Sequence, residues 1–133
     1  MIHYANVAKV IIIEEDPAVR DLLAIVVRRL GHDPAPLPSA TEPRMPADAA
    51  LIEPADPRAL SLTQQLRREQ PGLEIVFVST LPPAAETQEL RPSTHLIKPF
   101  ALGELSAAIE RSVGGARPEA RRAVPAGSER PAL

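Results

Sequence analysis

Apolar residues return along the chain in two alternating registers. Short apolar runs, Val7 to Ile13, Ala49 to Ile52, Leu73 to Val78 and Thr94 to Ile97, are separated by segments in which apolar side chains recur every three or four residues. The first run is apolar at nearly every position, the pattern of a central strand covered on both faces. Asp16-Pro17 follows it, supplying an N-cap oxygen and a proline at the first helical position, where a missing N–H costs nothing. In the helix so begun, Val19, Leu22, Leu23, Val26, Val27 and Leu30 share one face, with Arg20, Asp21, Arg28 and Arg29 on the other. Gly31 supplies a C-terminal cap. Asp33 to Leu37 is a candidate second strand, although Pro34, Pro36 and Pro38 remove ladder donors from it.

The unit then repeats. Ala49 to Ile52 ends at Glu53-Pro54, and Pro57 opens a helical pattern through Leu60, Leu62 and Leu66. Pro71-Gly72 forms a turn before the strand Leu73 to Val78, and Leu81-Pro82-Pro83 introduces a short polar helix that ends near Leu90. After Thr94 to Ile97, Lys98-Pro99 leads into a helix carrying Leu102, Leu105, Ile109 and Val113 on one side. Strands alternating with helices imply an α/β fold: a doubly wound parallel sheet with right-handed crossovers, whose ligands sit beyond the carboxyl ends of the strands. Gly114-Gly115 closes the periodicity. Residues 114–133 are rich in Pro, Ala, Arg, Gly and Glu, too poor in large apolar side chains to offset the entropy of ordering, and are expected to be a disordered tail behind one domain, 1–113.

Composition narrows the chemistry. A chain of 133 residues that is 44% hydrophobic supports one core and leaves no room for a second folded domain. Cysteine is absent, which removes disulfides, thiolate metal sites and thiol nucleophiles. The first apolar run is closed by three acids where a signal peptide would carry a cleavage site, and no stretch reaches the roughly 20 apolar residues of a spanning helix. A cytoplasmic protein without a membrane partner is expected. The net charge of −2 divides unevenly: residues 1–113 hold 11 basic and 15 acidic side chains, and residues 114–133 hold four arginines and two glutamates. With three aromatic residues and no basic stripe, nucleic acid is not an expected partner. No Gly-x-Gly-x-x-Gly, Walker loop or Gly-x-Ser-x-Gly elbow is present, so nucleotide binding and serine-hydrolase chemistry have no support.

One constellation remains. Glu14 and Glu15 follow the first strand, Glu53 the third, Ser79 the fourth and Lys98 the fifth, each at the end of an apolar run where side chains become free to face a crevice. In this order and spacing, residues 7 to 113 resemble the receiver domain of bacterial two-component response regulators, a flavodoxin-like fold with strand order 2-1-3-4-5. That family binds Mg²⁺ through an acidic pair after strand one and phosphorylates an aspartate after strand three. A Ser/Thr after strand four and a Lys after strand five contact the phosphate. Glu14-Glu15, Glu53, Ser79 and Lys98-Pro99-Phe100 align with these features. Pro57, four residues past Glu53, matches the family's loop proline, and Asp48 opens a pattern like its Asp-x-x-x-x-Asp strand. His95, three positions before the lysine, falls where the family carries an aromatic switch residue.

The departures from that pattern bear on function. The site acids at positions 14, 15 and 53 are all glutamate, which moves each carboxylate outward by one methylene. A misplacement of about 1 Å costs on the order of a hundredfold in rate, so efficient phosphotransfer at Glu53 is not expected. Mg²⁺ demands near-ideal octahedral geometry, and Glu15 with Glu53 is expected to bind it weakly or not at all. Glu53 instead reaches towards Lys98, as a partial phosphate mimic of charge −1 or as an ordinary strand-end acid paired to the lysine. Mutual repulsion should raise the pKa of one of the three glutamates unless Lys98 or a cation intervenes. Ser79 is read first as a turn cap and second as a switch, His95 as a surface or helix-flanking residue before a ligand, and Asp56 as a loop acid that could substitute as acceptor. The expected function is a phosphorylation-deficient receiver, not an enzyme and without a cofactor, which docks a signalling partner such as a histidine kinase or a downstream effector. The alternative is a Mg²⁺-dependent phosphoacceptor using Glu53 or Asp56.

Overall fold

The computed structural model describes residues 7–37 and 46–116. Five strands, β1 (Lys9–Ile13), β2 (Asp33–Leu37), β3 (Ala49–Ile52), β4 (Glu74–Ser79) and β5 (Thr94–Ile97), form one parallel sheet in the order β2-β1-β3-β4-β5. The helices are α1 (Pro17–Arg29), α2 (Pro57–Glu69), α3 (Ala85–Gln88) and α4 (Leu102–Ala116). Side chains of alternate parity separate into two cores, as the period of two in a strand requires. Val10 and Ile12 of β1 join Val76, Val78 and Leu96 against α1 and α4, whereas Ile11 and Ile13 join Ala50, Ile52, Ile75 and Phe77 against α2. Helices on both faces explain why β1 and β3 read as unbroken apolar runs.

Local chemistry sets where each helix begins and ends. Asp16 accepts the N–H groups of Ala18 at 2.9 Å and Val19 at 3.3 Å, and Asp56 accepts that of Arg58 at 2.9 Å, each ahead of a proline at N1. Gly31, at φ +90°, takes the left-handed conformation that ends α1. On α1 the buried side is Leu23, Ala24, Val26 and Val27, while Leu22 and Ile25 are exposed, so Leu22 does not share the core face expected of it.

Several boundaries differ from the sequence reading. β1 begins at Lys9, because the Ala8 N–H donates to His32 Nδ1, and β4 runs on to Ser79. α3 is a single turn and stops at Gln88; prolines 82 and 83 delay its start, and Thr87 Oγ1 bonds back to Ala84. α4 continues through Gly114 and Gly115 to Ala116, since glycine costs a helix only about 1 kcal/mol per residue. Those three residues therefore belong to the helix, and the expected disorder of residues 117–133 lies outside the described residues. The prolines of β2 do not prevent it from forming. Asp33 donates to Ala8 O at 2.8 Å, so Ala35 and Leu37, of the same parity, also face β1, and the missing N–H groups of Pro34 and Pro36 point to the open edge.

One arginine ties the α2 side together. Arg67 donates from Nε to Leu90 O at 3.0 Å, from Nη1 to Pro71 O at 2.8 Å and Leu73 O at 2.7 Å, and from Nη2 to Arg91 O at 3.3 Å. It thereby joins α2, the entry to β4 and the segment after α3, and its burial draws its pKa down. At about 1 kcal/mol for each net hydrogen bond, less where water replaces the partner, Arg67→Ala is expected to lower stability by about 2 kcal/mol in urea unfolding. Arg67→Lys should recover less than half of that, since an ammonium cannot reproduce the planar fork; full recovery by lysine would show that charge alone is at work.

Candidate functional site

The carboxyl ends of β1, β3, β4 and β5 meet at one rim of the sheet. Main-chain bonds set their heights: Glu53 N–H donates to Ile13 O at 2.9 Å, and Lys98 N–H donates to Ser79 O at 2.8 Å. Lys98 Nζ then lies 2.8 Å from Glu14 Oε1 and 3.0 Å from Glu53 Oε1. The second oxygen of each carboxylate is also engaged, Glu14 Oε2 by the Asp16 N–H and Glu53 Oε2 by the Ala55 N–H, both at 3.1 Å. The triad is well shielded, with side-chain exposures of 4% for Glu14, 14% for Glu53 and 19% for Lys98. Burial alone would pull the Lys98 pKa down, but hydrogen bonds and charge from Glu14 and Glu53 outweigh it and hold the ammonium above its ordinary 10.5. Two carboxylates thus share one ammonium.

Of the acidic pair, Glu14 and not Glu15 joins Lys98 and Glu53. Glu15 turns outward into a cleft of about 800 Å³ that Glu14, Glu53, Asp56 and Arg58 also line. There Arg58 Nη2 lies 3.6 Å from Glu15 and 3.4 Å from Asp56. Hydrogen bonding with Asp56, followed by the Asp56 charge, pushes the Glu15 pKa up; the same hydrogen bond and the Arg58 N–H push that of Asp56 down. A glutamate pKa is therefore raised, as repulsion within the acidic set requires, but the chief cause is Asp56, with Glu14 the smallest contributor. Among the described residues, no three or more His, Cys, Asp or Glu side chains are grouped so as to hold a metal ion.

The remaining predicted residues lie on the same rim, with local partners. Ser79, buried, accepts the Leu81 N–H at 3.0 Å through Oγ, the turn-capping role. His95 Nε2 is 3.0 Å from Leu81 O, so this nitrogen carries the proton, and the ring meets Phe77 edge-on at 5.8 Å. Its Nδ1 is buried without a hydrogen-bond partner. Sequence reasoning missed two arginines. Arg58 bridges Glu15 and Asp56, and Arg20 Nη1 donates to the carbonyls of Glu14 at 3.0 Å and Glu15 at 3.4 Å. The clue to Arg58 was its place two residues after the helix-capping Asp56; Arg20 showed only as a charge on the polar face of α1.

No protein-family model matches the chain. The DNA-binding transcriptional regulator NtrC of Azospirillum brasilense is 29% identical over 133 residues, an alignment covering 92% of this chain and 27% of that regulator. The chain thus spans about a quarter of that relative's length. A CheY-like response regulator receiver domain protein from Methanospirillum hungatei superposes with a TM-score of 0.73 at 15% identity, covering 81% of this chain and 94% of that one. A sensor protein from a Polaromonas species gives 0.66 at 28% identity, with 80% and 95% covered. The chain has the fold of response regulator receiver domains, a five-stranded parallel sheet of order 2-1-3-4-5. Among the described residues, no helix is long and apolar enough to cross a membrane.

The raised pKa of Lys98 fixes the sign of a pH effect. Its contribution to stability is complete below the unfolded-state value of about 10.5 and is lost as pH rises through the higher folded value. Lys98→Met leaves two shielded carboxylates unpaired, so its deficit against the native chain is expected to be constant from about pH 8 and to shrink only above about pH 10.5. A deficit that does not change with alkaline pH in urea titrations would show that the ammonium charge contributes nothing.

Proposed function

We propose that this chain is an atypical receiver domain of phosphorelay signalling, which works by docking a signalling protein without being efficiently phosphorylated. The observation that carries the reading is that both oxygens of the Glu53 carboxylate are already engaged, one by Lys98 and the other by the Ala55 N–H. A phosphoryl acceptor needs an oxygen free for in-line attack and a lysine free to meet the incoming group. Here Lys98 is shared with Glu14, and the Ser79 hydroxyl is turned to its own loop. Glu53 holds the β5–α4 connection through Lys98 as a covalent phosphate would, with less charge, so that one conformation is favoured without a chemical input. The expected partner is a histidine kinase or a downstream effector, met near His95, where Leu81 and Ile97 are exposed. Neither an enzymatic activity nor a nucleic-acid partner is part of this reading, and the charged side chains that line the cleft beside the triad are five acids and one arginine.

The second reading, phosphorylation of Asp56, draws on its place in the same cleft and its lowered pKa, which keeps the carboxylate charged. Against it stands the capping bond of Asp56 to the Arg58 N–H. Incubation of the protein with Mg²⁺ and a small phosphodonor, or with a histidine kinase, separates the two by intact mass. The expected result is the unmodified mass. A stoichiometric, acid-stable and base-labile phosphoryl adduct rejects the docking-only reading, and its loss in Glu53→Ala or in Asp56→Ala identifies the acceptor.

A further inference from the structure

A receiver-type rim implies a divalent cation, so its donors can be tested for one. They do not fit. A Mg²⁺ ion needs oxygens converging at about 2.1 Å in octahedral array. Glu14 and Glu53 converge on the Lys98 ammonium, and their other oxygens accept main-chain N–H groups. Glu15, which could complete such a set, is drawn instead to Arg58 and Asp56.

The pattern is regular. A carboxylate of the β1–α1 loop pairs with one of the β3–α2 loop, and each pair holds a basic side chain of this chain: Glu14 and Glu53 hold Lys98, and Glu15 and Asp56 hold Arg58. Arg20 adds a third positive charge against the Glu14 and Glu15 carbonyls. We infer that Lys98 and Arg58 are the rim's resident cations, that they replace the divalent ion, and that they exclude it by occupying its carboxylate donors. The inference rests on the receiver reading above for the kind of ion concerned and deepens it: the rim is set in one state with no dependence on metal. Removing the basic groups should uncover the carboxylates as a cation site, because paired carboxylates in a shielded crevice must bind a cation or take up protons.

Mn²⁺, a paramagnetic stand-in for Mg²⁺, tests this in ¹H–¹⁵N spectra of the full chain. In the native protein the amides of Glu14, Glu15, Glu53 and Ala55 are expected to show no saturable broadening at millimolar Mn²⁺. The double variant Arg58→Gln, Lys98→Met is expected to bind at least about tenfold more tightly, with broadening centred on those amides. Arg58 is largely exposed, so Arg58→Gln alone keeps the fold and should show a smaller gain confined to Glu15 and Asp56. Saturable binding by the native chain overturns the inference, as does a folded Arg58→Gln chain that gains nothing. Failure here is distinct from failure of the docking reading, since a native chain that binds Mn²⁺ and still takes no phosphoryl group sinks only the present inference.

Discussion

The rim is organised by a single ammonium group shared between two carboxylates. Lys98 reaches from the end of β5 across β4 and β3 to the end of β1, and so joins outer and central strands at their carboxyl ends. Shielded charge is costly, and an ion pair in such a place is tolerated only when every oxygen and proton finds a partner. The triad meets that condition at its four carboxylate oxygens, two of them bonded to Lys98 and two to the main-chain N–H groups of Asp16 and Ala55. Those N–H groups are in turn placed by the two Asp-Pro helix starts, so the caps of α1 and α2 act on the rim as well as on the helices. The longer reach of glutamate suits the arrangement, since each carboxylate bends back to its own loop while still meeting the lysine.

Much of this was legible in the chain. Apolar runs of four to seven residues between helical repeats gave the layers, and the Asp-Pro pairs gave the helix starts, because both are local consequences of steric and hydrogen-bonding rules. Glu14, Glu53 and Lys98 could be named because each ends an apolar run, and in a parallel sheet those ends share one rim. What resisted reading depends on side-chain direction and on partners far apart in sequence. Nothing local distinguishes Glu14, turned inward to Lys98, from Glu15, turned outward to Arg58; the choice is made by the third dimension. The same holds for Arg67, whose four carbonyl partners lie in two separate segments. β2 was uncertain for a different reason: a count of prolines says nothing of their parity, and parity decides which bonds they remove.

The likenesses in sequence and shape reach the fold and stop short of the rim's chemistry. At 15% identity a receiver-type sheet can be superposed over 81% of the chain, because hydrophobic alternation and crossover handedness constrain the backbone far more than they constrain four or five polar side chains. What the rim does is therefore a matter of its own atoms. Those atoms form two ion clusters side by side, one shielded around Lys98 and one wet around Arg58, of which the wet one is the more open to salt.

The parity of the β2 prolines reaches beyond the domain itself. An exposed parallel edge is ordinarily an invitation to a neighbouring chain, which can continue the ladder and seed ordered aggregates. Along β2 the outward donors at positions 34 and 36 are missing, so an incoming backbone would find acceptors without their alternating counterparts. Growth by strand addition is thereby discouraged on that flank, and the opposite flank, β5, is left as the sheet edge on which a guest strand could still be seated.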